Sequence, residues 1–379
     1  MEYRKLGNSG LLVSELCLGT MLFGSSTDEA ESMRMVQQFL DAGGNFIDTA
    51  DIYTEGVSEE IVGKAIGARR SEVIVATKTG ISVGPHPNDR GGSRKHIMDS
   101  VNASLRRLKT DYIDLYYLHI WDHLTPIEET LKAMEDLVSS GKVRYIGVCN
   151  FLAWQLMKSL AYSDAKDYAR IVAIQQQYSL VSRDMDREHM SLCQEETIGI
   201  IPWGPLGGGL LSGKYNSMEK PDFGRFSLGL KGEFDYDNKF TSKNFEIVNA
   251  VKEISEQTGK KHSQVALNWL LGKKGITAPI IGASSYTQFE DNMGAVGWSL
   301  TADQWKYLDN VSSLPSEYPL RMQERFRRNL YANREYCQIE KLANLDQIPK
   351  SFGYKANCFP IKVEKESAGC SRPVAIIEE

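Results

Sequence analysis

Apolar and polar positions along this chain switch repeatedly between two spacings. Short, nearly solid apolar runs alternate with longer stretches in which apolar residues recur every three or four positions. The runs LCLGT, NFID, VIVATK, YIDLYYLH, VRYIGVCN, IVAIQ, GIIPW and APIIGA read as buried parallel strands. Between them the pattern predicts amphipathic helices. One runs from about Thr27 to Asp41, capped by Thr27 or Asp28. A second begins near Ser58, where Glu59 and Glu60 suit the positive end of a helix dipole. A third covers about Ser93 to Leu108, and a fourth opens at Thr125-Pro126 as N-cap and first helical residue. Ahead of all these, YRKLGNSGLLVS places a turn at Asn8-Ser9-Gly10 between two extended runs, an N-terminal hairpin.

Eight strand–helix units over roughly 280 residues match an α/β fold, the (β/α)8 barrel. Polar residues sharpen that expectation. Asp48, Lys78, His119, Asn150 and Gln175 each end a strand, on the face where such a barrel carries its active site. A doubly wound open sheet would want a GxGxxG turn after its first strand, and GTMLFGSS is not one. After the seventh barrel strand the pattern breaks into a long Gly- and aromatic-rich insertion, between Trp203 and about Ser242, of the kind used as a lid or binding loop. Beyond about Leu314 the alternation stops. The expected organisation is a barrel over 1–314 and an extension over 315–379, partly helical through RMQERFRRNLYANREYCQIEKL, otherwise disordered or packed over the barrel, with no assignable role.

Bulk properties narrow the function class. Of 379 residues, 42% are hydrophobic and 25% charged, which is ordinary for a globular protein able to bury a sizeable core. The formal net charge of −5, without a basic stripe, argues against nucleic acid as a partner. No run of about 18 apolar residues predicts a membrane span. MEYRKLGNSG lacks a signal core, so a cytoplasmic protein is expected. Six widely spaced cysteines without a CxxC pair fit reduced thiols better than disulfides or zinc, and no metal site is expected.

The chemistry centres on NFIDTADIY. Asp48 ends a strand and Tyr53 follows five residues later. A phenol near pKa 10 is a poor acid at neutral pH unless a cation stabilises its phenolate. The next strand ends in Lys78 and the one after it in His119, so Asp48, Tyr53, Lys78 and His119 form a proton-transfer set. A buried lysine is costly unless paired, which makes Asp48 its expected partner.

These segments resemble the aldo-keto reductase superfamily. DTADIYTEGVSEEIVGKAI is similar to its DTA-x-x-Y-x-x-G-x-S-E signature, and LHIWDHLTPIEETL with GKVRYIGVCNF to its middle signature. WGPLGGGLLSGKY and PIIGASSYTQFEDN resemble its nicotinamide-stacking and phosphate-binding segments. The likeness runs from about Tyr3 to Ser312 and is greatest to aryl-alcohol-dehydrogenase-like and potassium-channel β-subunit-type members.

The resemblance implies an NADP-dependent oxidoreductase, NAD being the other possibility, that interconverts aldehydes or ketones and alcohols. Asp48, Tyr53, Lys78 and His119 would be catalytic, with Tyr53 protonating the carbonyl oxygen, Lys78 lowering the phenol's pKa, and His119 orienting the carbonyl or joining the relay. Tyr53, His119 and Trp121 would meet the substrate. Asn150 and Gln175 would bond the nicotinamide carboxamide and Trp203, a Tyr in many relatives, would stack on the ring. Gly19, Thr20, Asp48, Gly204, Pro205, Leu206 and Gly208 complete that part of the cofactor site. Lys214 and Arg225 would hold phosphates, with Ile281, Gly282, Ala283 and Ser284 leading into a helix from Tyr286 whose N–H groups suit an anion. Gln288, Asp291 and Asn292 would face the adenosine end. Cys149 replaces the family's usual Ser, and Gln288 replaces an Arg that in many members grips the 2′-phosphate. Loop aromatics Trp121, Phe223, Phe226, Phe234 and Tyr236 fit an aromatic or bulky carbonyl. A second reading is an NADP-binding regulatory subunit that turns over slowly and reports redox state to a partner.

Overall fold

The computed structural model describes residues 1–215, 217–228, 235–332, 355–360 and 371–376. They fall into two compact units, Met1–Leu314 and Pro315–Glu379.

The first unit is built on β3 (Cys17–Gly19), β4 (Phe46–Asp48), β5 (Ile74–Thr79), β6 (Ile113–Leu118), β7 (Val143–Cys149), β8 (Ile171–Gln177), β9 (Gly199–Trp203) and β10 (Ile280–Ile281). All pair in parallel in the order β10-β3-β4-β5-β6-β7-β8-β9. The two ends of that row approach each other, because Ile200 of β9 bridges Ile276 and its carbonyl accepts from Thr277 N at 2.9 Å, just ahead of β10. The result is a nearly closed (β/α)8 barrel.

Helices α1 (Glu29–Asp41), α2 (Val57–Ile66), α3 (Arg94–Leu108), α4 (Ile127–Ser139), α5 (Ala153–Lys166) and α6 (His189–Glu195) connect successive strands. The short α7 (Tyr236–Lys239) precedes α8 (Ser242–Thr258) and α9 (His262–Leu271). After β10 come α10 (Tyr286–Met293) and α11 (Ala302–Val311). Asp28 caps α1 by accepting from Glu31 N, and Ser93 caps α3 by accepting from His96 N. At α4 the boundary lies one residue later than expected. Pro126 holds the cap position, and the Thr125 hydroxyl donates to Asp122 at 2.6 Å instead of capping.

Two cores follow from the strand period. Leu16, Ile47, Val75, Tyr116, Ile146 and Ile174 pack outward against helices. Phe46, Ala76, Leu115, Tyr117, Cys149 and Ile201 fill the barrel with Leu6 and Val13. The last two come from the hairpin of β1 (Tyr3–Lys5) and β2 (Leu12–Ser14), which crosses the N-terminal ends of the strands. Gly7, at φ +52°, lies so close to them that a side-chain carbon there would sit 2.2 Å from the Val172 carbonyl oxygen.

The insertion after β9 carries 3-10 turns at Gly207–Ser212 and Arg225–Leu228. Tyr215 anchors it, stacked on Phe223 and edge-on to Phe226 and Phe240. Phe234 lies outside the described residues.

In the second unit, α12 (Leu320–Ala332) covers the start of the expected basic helix, and the rest of that run lies outside the described residues. β11 (Lys355–Pro360) and β12 (Ser371–Ile376) pair antiparallel, an element the sequence pattern did not predict. Among the described residues, no helix is long and apolar enough to cross a membrane.

Candidate active site

The strand ends bring the expected polar residues together at the barrel's C-terminal face. Lys78, the fifth residue of β5, is fully buried. Its ammonium donates to Asp48 Oδ1 at 2.5 Å, to the Thr49 carbonyl at 2.8 Å and to Tyr53 Oη at 3.1 Å. Three donors thus meet three acceptors, which is what a buried lysine needs. Asp48 Oδ2 accepts from Gln175 Nε2 at 2.8 Å, and its backbone carbonyl accepts from Thr20 N and Oγ1, both at 3.0 Å. Thr20, Thr49 and Ser58 hydroxyls form a buried chain behind the carboxylate.

Tyr53 is half-buried, edge-on to His119 with ring centroids 6.1 Å apart. The two residues after it, Thr54 (φ 48°) and Glu55 (φ 55°), are both left-handed, and Gly56 continues at φ 93°. For a β-branched threonine that is a strained backbone. The Thr54 hydroxyl is tied to the Phe23 carbonyl at 2.9 Å.

His119 is buried, its backbone N–H donates to Thr79 O at 2.7 Å, and its Nδ1 meets no protein partner. Asn150, left-handed at φ 56°, follows β7 and ties the ends of β6 and β9 together. Its amide donates to the His119 carbonyl at 3.1 Å and accepts from Trp203 Nε1 at 3.0 Å. Asp48, Tyr53, Lys78, His119, Asn150, Gln175 and Trp203 therefore form one connected cluster. Gln175 and Asn150 are already engaged within it.

Its electrostatics follow from burial. Burial works against the Lys78 ammonium, but Asp48 above all, with Tyr53 and Cys149, holds its pKa well above the ordinary lysine value. Burial pushes the Tyr53 phenol up, and Asp48 adds to that; Lys78 pulls it down without winning. Lys78 thus acts on the phenol in the expected direction, but burial outweighs it. His119 is pushed down to about 3 by burial and then by Lys78, so its imidazole is neutral at physiological pH. Burial raises the Cys149 and Cys17 thiols well above their usual value, which makes both unreactive.

The remaining predicted residues fall into two further groups. Gly204, Pro205, Leu206 and Gly208 form the turn after β9, with Gly204 at φ 65° and Gly208 at φ 70°. Lys214 packs between Gly209 and Gly224, beside Arg225. Desolvation and then the Arg225 charge lower Lys214, and burial lowers Arg225. The second group surrounds α10. Gly19 faces Ile280 so closely that a side-chain carbon would lie 2.5 Å from it, and Ile281, Gly282 and Ala283 lead on to Ser284. Ser285 caps α10. Gln288 Oε1 accepts from Ser284 N at 3.2 Å and Oγ at 3.0 Å, and Glu31 accepts from Tyr286 N at 2.6 Å. Asn292 donates to Gly282 O at 3.3 Å, while Asp291 pairs with Lys261.

Sequence reasoning missed the Thr49 carbonyl, a backbone acceptor that no side-chain pattern reveals. It also passed over Asp51. That carboxyl is 3% exposed, and neither oxygen has a fully formed hydrogen bond. Burial and then Glu59 push it up to about 7, against Arg107, the Ile52 amide and Ser100. It lines a cleft of about 260 Å³ with His96, Ser100 and Arg107 among others, none of which belongs to the Lys78 cluster.

Comparison with known proteins agrees with this geometry. Residues 15–313 match the Aldo/keto reductase family, and the chain belongs to it. It is similar to an uncharacterized oxidoreductase of Bacillus subtilis, 37% identical over 82% of this chain and 96% of the relative. A probable voltage-gated potassium channel subunit beta of Arabidopsis thaliana is 36% identical over 78% and 91% of the two chains. A norsolorinic acid reductase of Aspergillus flavus is 30% identical over 90% of each. Aldo/keto reductases are oxidoreductases that generally use NAD(P)H.

Proposed function

We propose that this protein is an NADP-dependent reductase of aldehydes or ketones, running in reverse as an alcohol dehydrogenase, with Asp48, Tyr53, Lys78 and His119 as its catalytic residues. The observation that carries this is the Lys78 ammonium held within 3.1 Å of Tyr53 Oη and 2.5 Å of Asp48.

The nicotinamide cofactor, when bound, supplies the hydride to the carbonyl carbon. Tyr53 gives its proton to the carbonyl oxygen. Lys78 then lies in place to stabilise the phenolate as negative charge develops, and solvent returns the proton. The raised resting pKa of Tyr53 suits this role, since the phenol stays protonated until the reaction draws on it. His119, neutral, serves as a hydrogen-bonding group that orients the carbonyl, not as the acid.

For the cofactor, Trp203 and the Gly204–Pro205–Leu206 turn suit the nicotinamide, with Asn150 and Gln175 as amide partners beside Gly19, Thr20 and Asp48. Two adjacent cations whose pKa values are both lowered, Lys214 and Arg225, are better accommodated with a phosphate between them. Ser284, at the start of α10, would receive a second anionic group once Gln288 swings off its N–H and hydroxyl. Gln288, Asp291 and Asn292 would then meet the adenosine. The free buried thiols Cys17, Cys149 and Cys193 fit a reducing, cytoplasmic setting.

The test is NADPH and NADH consumption by the purified protein with a panel of aldehydes, alongside Tyr53→Phe. Turnover that prefers NADPH and falls roughly 10²–10⁴-fold in Tyr53→Phe is expected. Near wild-type rates in that variant would remove the proton-donor assignment. Similarity to the channel subunit supports a second reading, a redox-reporting subunit. Tight cofactor binding without turnover would favour it.

A further inference from the structure

The mouth of the cluster carries an aromatic lip that the catalytic residues do not use. Two residues beyond His119, Trp121 packs edge-on against Phe151 at 5.1 Å and tilted against Trp154 at 5.6 Å between ring centroids. Phe151 directly follows Asn150, whose amide bonds His119, so the lip is joined to the site through both strands it grows from. It is also rigid. The Phe151 carbonyl accepts from Gln176 at 2.5 Å, and the Leu152 N–H donates to the Gln155 side chain at 2.8 Å, which fixes the first turn of α5 where Trp154 sits.

Its outer half is bare. Trp154 is 56% exposed, Leu152 55% and Ile120 47%, whereas Phe151 beneath them is 1% exposed. An indole held against a second indole yet left more than half open to water has apolar surface to gain by being covered. Continuity with the carbonyl-binding mouth identifies what covers it. We propose that Trp154, with Trp121, forms a stacking subsite for the distal rings of a substrate, and that the preferred substrates are carbonyls on an extended, fused aromatic system that reaches past His119. This rests on the reductase reading above and adds to it a substrate class and a specificity-determining residue remote from the proton transfer.

The experiment uses the full chain with NADPH, comparing benzaldehyde with anthracene-2-carboxaldehyde, whose two further rings extend away from the carbonyl, for wild type, Trp154→Ala and Trp154→Phe. The expected result is a loss of roughly tenfold in kcat/KM for the tricyclic aldehyde in Trp154→Ala, carried by KM. Benzaldehyde should stay within about twofold, since it carries no ring beyond the one that bears the carbonyl. Trp154→Phe should recover most of the loss. Equal losses on both aldehydes, or none on either, would overturn the subsite while leaving the reductase reading intact. If wild type turns over neither aldehyde, the reductase reading fails separately. Fluorescence titration of the NADPH complex with the tricyclic aldehyde then decides the subsite: weaker binding in Trp154→Ala supports it, and unchanged binding overturns it.

Discussion

At the residue scale, Asp48, which ends β4, and Asp51, three positions on, show two environments for a buried carboxylate. Burial raises the Asp48 carboxyl too, but Lys78 and Gln175 donate to it and pull it back. Asp51 has neither a cation of its own nor a complete hydrogen bond, and is pushed up to about 7. A carboxyl raised in the folded state keeps a proton that the unfolded chain releases near pH 4, so folding is disfavoured progressively as pH rises from about 4 to 7. At about 1.4 kcal/mol per pK unit the full effect is at most about 4 kcal/mol. Asp51→Asn should therefore stabilise the protein more at pH 8 than at pH 5, read as the gap between thermal midpoints of variant and wild type. A gap that does not change with pH would show that Asp51 ionises without penalty. The sequence made the Lys78–Asp48 pair legible because a strand-end lysine demands a carboxylate. It could not show that Gln175 turns its amide to Asp48, since strand spacing places a residue at the mouth without choosing its neighbour.

At the element scale, all eight barrel strands were legible as solid apolar runs, because parallel strands covered on both faces have little room for polar positions. Where polar caps compete, the boundaries were less legible: Thr125 bonds Asp122, and α4 begins after Pro126. β11 and β12 were missed because KANCFP and SRPVAI carry prolines and charges in place of a strand pattern. The contact of α2 with α3 was invisible too, although its cause is a single residue. A side-chain carbon on Gly63 would lie 2.6 Å from the Leu108 carbonyl oxygen. Alanine gains about 1 kcal/mol in helix propensity over glycine, but forcing two helices apart costs about 1–3 kcal/mol. Gly63→Ala is accordingly expected to lower stability by about 1 kcal/mol in urea unfolding. A higher midpoint would mean that the end of α3 yields without cost.

At the scale of the whole molecule, closure is the least local feature: the strand count implied it, but the contacts that make it were not legible. β10 is two residues long, and the seam with β9 is one bridge and one hydrogen bond, too little to leave a pattern of its own. The hairpin reinforces the same region from below. Arg4 donates to the Ile276 carbonyl at 3.2 Å and the Leu271 carbonyl at 3.0 Å, and lies 3.6 Å from Glu15. The first strand of the chain thus braces the approach to the last strand of the barrel. Removing a charged donor from two carbonyls costs about 2 kcal/mol. Arg4→Ala should lose about that much and speed amide exchange across residues 271–281 before other strands. Uniform exchange around the barrel would show that the seam does not depend on the hairpin.

The left-handed run behind Tyr53 carries a consequence for anyone selecting variants of this protein. A non-glycine residue in that conformation costs about 1–2 kcal/mol, more than the roughly 0.5–1 kcal/mol of extra chain freedom that glycine brings to the unfolded state. Glu55 is exposed, so Glu55→Gly sacrifices no packing and should raise the thermal midpoint slightly. The same change releases the backbone that aims the Tyr53 hydroxyl, and kcat should fall as the midpoint rises; a variant that gains both would show that the strain does no aiming. A screen ranked by heat tolerance alone would promote this variant and discard the tension that keeps the phenol on target.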